Sequence, residues 1–126
     1  MIFDTDIFIW IQRGNVKAAD LVDREYERLL SVQTYMELLQ GARDKGQHWL
    51  IIDFLINFNF KTLPLSENIG HRAAIYIEEY SLIHGLRAGD AIIAATATEH
   101  GLTLCSGDTK HFKPIKELKL KVFRPY

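Results

Sequence analysis

The sequence has a single cysteine, Cys105, so no intrachain disulfide can form. Its five histidines include no H-x-x-x-H pair, and no set of two cysteines and two histidines offers a structural zinc site. No apolar run is long enough to span a bilayer. The opening MIFDTDIFIW lacks a basic leader region and carries acids where a signal peptide is apolar. These absences point to a reducing, cytoplasmic location. No repeat, low-complexity tract or Pro/Ser linker divides the 126 residues, so one domain over 1–126 is expected. A large charge of one sign is missing too, the formal net charge being -1. The chain as a whole is therefore no polycation. Locally it is basic: from Lys110 onward, Lys110, Lys113, Lys116, Lys119, Lys121 and Arg124 face only Glu117. Such a tail is either a solvated surface or an attractor of phosphate.

What is present is an alternation. MIFDT, LLSVQ, KTLPL, LTLCS and LKVFR read as five short strands. Between them, VKAADLVDREYERLL places Val16, Ala19, Val22, Tyr26 and Leu29 at helical spacing. TYMELLQGARDKG reads as a helix ended by Gly46, and QHWLIIDFLINFNF as an unusually apolar one. SENIGHRAAIYIEEYSLIHG has a Ser N-cap and ends on Gly85. GDAIIAATATEHG is small and apolar all round, as a central helix must be. Strands alternating with helices predict an α/β fold, a parallel sheet of about five strands with helices on both faces. In such sheets ligands bind beyond the carboxyl ends of the strands.

Acids stand at those ends. Asp4 ends strand one and Asp108 follows strand four; the two strands are neighbours if the sheet reverses direction there. Glu37 and Asp90 stand near helix starts. Each has a structural role open to it: Asp4 or Asp6 as a cap after strand one, Glu37 in a capping box with Thr34, Asp90 as an N-cap, Asp108 as a turn residue. Taken together, four carboxylates at one crevice would repel unless a cation sat among them. Carboxylate oxygens with retained water suit Mg²⁺ or Mn²⁺, and such an ion promotes phosphodiester hydrolysis.

FDTDIFIW, TYMELLQGAR and GDAIIAATATEHGLTLCSGDTKHFKPI resemble, in order and spacing, the PIN-domain ribonucleases, above all the VapC-type toxins of toxin–antitoxin pairs. The resemblance implies a three-layer sandwich and Mg²⁺- or Mn²⁺-dependent endonucleolytic cleavage of RNA. It also implies a metal-binding quartet of Asp4, Glu37, Asp90 and Asp108, supported by Ser106. Relatives of this kind usually form homodimers and are held inactive by a small antitoxin whose tail enters the pocket. The chain departs from the pattern at three places: Asp108 replaces an Asn, Gly107 replaces an Arg, and Asp6 replaces Ser, Thr or Asn. Asp6 is then an extra ligand or a helix cap. Phosphate contacts are expected from Lys110, Lys113, Arg43 and Arg87, and Trp49, Phe54 and Phe58 are core, a dimer face or an antitoxin groove.

Three other readings share these residues. MIFDTD also resembles the D-x-D opening of haloacid-dehalogenase-type phosphatases, but Phe8 stands where that family has Thr or Val and Asp90 has no role in it. A catalytically inactive PIN domain that binds RNA or protein, and an RNA-processing nuclease outside any toxin pair, are the others.

Overall fold

The computed structural model describes Met1–Tyr126. Five strands form one parallel sheet: β1 (Ile2–Phe3), β2 (Leu29–Ser31), β3 (Lys61–Leu63), β4 (Thr103–Ser106) and β5 (Lys119–Val122). The spatial order is β3-β2-β1-β4-β5. The chain builds outward from β1 to β3, then returns to place β4 on the other side of β1, with Ile2 opposite Leu104 and Phe3 opposite Cys105. The crevice beyond the ends of β1 and β4 is thus the switch point of the sheet.

Successive strand residues face opposite layers. Ile2, Leu29 and Leu104 pack on one side against α5 (Glu67–His84), α6 (Ala88–Glu99) and α7 (Thr109–Phe112). Phe3, Leu30 and Cys105 pack on the other side, against α1 (Thr5–Gln12), α2 (Val16–Arg24), α3 (Val32–Gln40) and α4 (Lys45–Asn57). The two apolar layers are the expected α/β sandwich. Helix α6 buries Ala91, Ile93, Ala94, Ala95, Thr96 and Ala97. The four alanines let it lie close on both the sheet and α5. Ser66 caps α5 by accepting from the Ile69 amide, and Gly85 ends it at φ 71°. That left-handed conformation suits a residue without a Cβ.

Several boundaries differ from the sequence expectation. Helix α2 stops at Arg24, so Tyr26 is exposed and Leu29 joins the sheet opposite Ile2. Arg28 fixes this turn by donating to the carbonyls of Glu25, Asp23 and Phe58. On α2 the buried positions are Ala18 and Val22, whereas Val16 and Ala19 face solvent. Gly46 does not end a helix. Helix α3 stops at Gln40, Asp44 caps α4 through the Gln47 amide, and Gly46 lies in the first turn of α4. Along α4 only Leu55 is fully buried; Trp49, Leu50, Ile56 and Phe58 remain exposed. No helix is long and apolar enough to cross a membrane.

Candidate functional site

The acids at the switch point do not merely cap. Asp4 does cap α1, its Oδ1 accepting from the Thr5 amide at 2.8 Å. Its Oδ2 accepts from Ser106 Oγ at 2.6 Å. Only 7% of Asp4 is exposed. Burial, and then the charge of Asp6, push its carboxyl up to about 7, against the opposing pull of the Ser106 and Thr5 hydrogen bonds. Ser106 is fully buried and also accepts from the Asp108 amide at 3.0 Å. One hydroxyl therefore ties the ends of β1 and β4 together.

Asp6 lies inside α1 and caps nothing. Its Oδ2 accepts from the Gly107 amide at 2.8 Å, while its Oδ1 is buried without a hydrogen-bond partner. Burial raises its pKa, and the Gly107 N–H works against that. Gly107 is close-packed here: a Cβ would stand 3.0 Å from Asp6 Oδ2 and 3.2 Å from the Phe123 carbonyl.

Glu37 makes no capping box with Thr34. Helix α3 starts one turn earlier, capped by Ser31 through the Gln33 amide, and Thr34 is buried within it. The Glu37 carboxylate is freed to reach across: Oε1 accepts from Thr5 Oγ1 at 2.6 Å and Oε2 from Gln33 Nε2 at 3.3 Å. Thr5 thus holds Asp4 with its amide and Glu37 with its hydroxyl.

Asp90 is not the N-cap of α6. Arg87 is, and Asp90 stands three residues on, accepting from the Arg87 amide at 3.4 Å. Burial raises the Asp90 pKa most, and the charges of Asp108 and Glu37 add to this. Asp108 caps α7 by accepting from the His111 amide at 3.1 Å, and its Oδ2 stands 2.7 Å from His111 Nδ1. Asp90, Asp108 and His111 each offer a ligand atom, all within 4.8 Å of one another. Asp4, Asp6, Glu37, Asp90 and Asp108 are therefore within electrostatic reach in one crevice, with Ser106 beneath them.

The basic residues are spread around it. Lys110 and Lys113 are exposed on and after α7, and Arg87 is exposed at the start of α6. Arg43 lines a groove of about 810 Å³ between α1, α3 and α4. That groove starts at Thr5 and Glu37 and runs out over Phe8, Leu50 and Phe54. Trp49 and Phe58 are not part of it. Thr5 and His111 were not among the residues singled out from the sequence. The polar Thr between two acids was the signal for the first, and the three-residue step from Asp108 to His111 for the second.

The donor set suits a divalent cation. It is mainly carboxylate oxygen, it gathers charge that burial alone penalises, and it leaves Asp6 Oδ1 without a partner.

The profile of the PIN domain family matches residues 1–118. Ribonuclease VapC10 of Mycobacterium tuberculosis is 30% identical over 125 residues, covering 94% of this chain and 90% of the relative. A toxin–antitoxin complex from Klebsiella pneumoniae contains a chain that is 30% identical, with a TM-score of 0.79 and coverage of 99% of this chain and 97% of that one. VapBC-1 of nontypeable Haemophilus influenzae shares the fold at 23% identity, with a TM-score of 0.79 over 97% of this chain and 98% of that one. With an acidic crevice at the switch point of a five-stranded parallel sheet, and with a relative of this identity along nearly its whole length, the chain belongs to the PIN-domain family, among the VapC-type ribonucleases.

Proposed function

We propose that the chain is an endoribonuclease of the VapC toxin type, working with Mg²⁺ or Mn²⁺ in the cytoplasm. The observation that carries this is the grouping of four acids: Thr5 holds Asp4 and Glu37, Ser106 holds Asp4 and the Asp108 amide, and Asp90 offers a ligand atom within 4.8 Å of one from Asp108. In this reading Asp4, Asp90 and Asp108 hold the cation, with His111 fixing Asp108. When bound, the ion supplies positive charge against the phosphate and makes water a stronger acid. Glu37, aimed by Thr5, orients the attacking water and accepts its proton. Water adds to phosphorus, the ribose 3′ oxygen leaves and takes a proton from solvent water, and the products carry a 5′-phosphate and a 3′-hydroxyl. Asp6 holds the Gly107 loop, and its other oxygen is buried without a partner.

The Klebsiella pneumoniae relative is a toxin–antitoxin complex. A small antitoxin is the occupant we assign to the groove of α1, α3 and α4. Leu50, Ile51 and Phe54 offer its helix an apolar wall, and Glu37 at the inner end offers an anion to a basic side chain. A homodimer is part of the same reading, supported by Leu82 and Ile83, which stand 95% and 80% exposed on α5. The phosphatase reading loses support, because both Asp4 oxygens are engaged and Asp6 is turned to Gly107. The test is the chemistry of the cut ends. RNA fragments produced with Mn²⁺ should carry 5′-phosphate; 5′-hydroxyl ends with a cyclic phosphate would contradict attack by water.

A further inference from the structure

A second cleft, of about 480 Å³, lies between α2 and β5. Lys17 and Arg24 line it from α2, and Lys121 and Arg124 from β5 and the segment after it. None of these four has a carboxylate within 4.0 Å, the only ion pairs lying elsewhere. The acids at its wall are Asp20 and Glu25, and Glu25 is 3.8 Å from the N-terminal ammonium. Positive charge therefore prevails. Lysines on β5 alone would be explained as guards of an exposed sheet edge. Edge protection does not explain the cations that face them from α2.

Arg124 links the cleft to the acidic crevice. Arg124 Nη1 donates to the carbonyls of Gly107 at 3.3 Å and Phe123 at 3.4 Å. Gly107 precedes Asp108 and gives its amide to Asp6. The guanidinium is anchored by neutral oxygens only, so its charge stays available beside the acids. The segment that carries it is pinned: Asn15 Nδ2 donates to the Pro125 carbonyl at 3.1 Å, and the Tyr126 ring meets Trp10 edge-on at 5.8 Å.

We infer that this cleft carries the sugar–phosphate backbone of single-stranded RNA away from the acidic site, with Arg124 at the junction and Lys121, Lys17 and Arg24 along the track. The inference rests on the ribonuclease reading and adds the path the substrate takes. Phosphate contacts of this kind set affinity and register without reading bases. Each single-strand phosphate neutralised contributes about 0.7 to the slope of log affinity against log salt.

The test is binding of a labelled single-stranded RNA of mixed sequence in EDTA across a salt series. The proteins are wild type, the quadruple variant K17A/R24A/K121A/R124A, the single variant Arg124→Ala, and Lys61→Ala at the opposite sheet edge. Circular dichroism and urea unfolding establish that each is folded. The expected result is a slope lower by about 0.7 for Arg124→Ala and by about 3 for the quadruple variant. Lys61→Ala should match wild type. With Mn²⁺ added, KM should rise at least tenfold in the quadruple variant with kcat retained, because the acids are untouched. If wild type binds and cleaves RNA while the variants keep its affinity and slope, the track is wrong and the nuclease stands. If the variants lose affinity only for duplex DNA or for an acidic peptide, the cleft serves that ligand and the inference fails. If wild type neither binds nor cuts RNA, both readings fall.

Discussion

Asp4→Asn removes one charge and almost nothing else. The amide oxygen can keep the Thr5 N–H, and the amide NH₂ can donate to Ser106 Oγ, which turns to accept it. In wild type, burial and then Asp6 raise the Asp4 pKa from 3.8 to about 7. Between those values the folded protein keeps a proton that the unfolded chain has released. Without metal, stability must therefore fall as pH rises through this window. The whole shift corresponds to about 4 kcal/mol. Asp6 shares the burden, so one substitution should recover about 2–3 kcal/mol. In EDTA, Asp4→Asn should match wild type near pH 4 and exceed it by that amount at pH 8, measured by urea unfolding at several pH values. Saturating Mn²⁺ should reverse the order. At a thousandfold excess over Kd it adds about 4.1 kcal/mol to wild type, and far less to the variant. A gap that ignores pH, or a variant less stable than wild type at pH 8 in EDTA, would refute the idea that this site stores unfavourable charge for a cation.

Two further substitutions probe the same frame. Gly89→Ala puts a Cβ 3.0 Å from Gln33 Nε2 and 3.1 Å from Glu37 Oε2, so both side-chain ends must move. Activity should fall at least tenfold, while thermal unfolding shows stability unchanged or raised by up to about 1 kcal/mol from the better helix former; full activity would mean that the position of Glu37 is not critical. His111→Ala removes the imidazole 2.7 Å from Asp108 and should weaken Mn²⁺ binding about tenfold by calorimetry; unchanged affinity would leave His111 a packing residue.

Much of this was legible in the sequence because short strands expose their ends. Asp4 follows its apolar run directly and Asp108 follows strand four after Gly107, so an α/β alternation sends both to the same edge. Asp90 was legible through the small-residue helix that it opens. Glu37 stood out as one of four acids near strand ends and helix starts, and the family resemblance implied a metal role for it, while its local spacing to Thr34 suggested a cap. That expectation failed because Ser31 lies at the end of β2 and captures the N-cap one turn earlier. The end of α2 was misread because Leu29 satisfies helical spacing, and only pairing with Ile2 claims it for the sheet. Gly46 was misread for a similar reason: Asp44, two residues before it, already caps α4. Arg124 stood in the basic tail, but its contact with Gly107 was not legible, because it depends on β5 lying beside β4 and on the pinning of the segment after it.

Purified protein, given a mixed pool of structured RNAs with Mn²⁺ or Mg²⁺, is the most direct trial of the ribonuclease reading, run beside an EDTA control and an Asp90→Asn variant verified as folded. Cutting that needs the metal and disappears in the variant is the result expected from a crevice built of Asp4, Glu37, Asp90 and Asp108. Equal cutting by the variant, or none by the wild type, would contradict it.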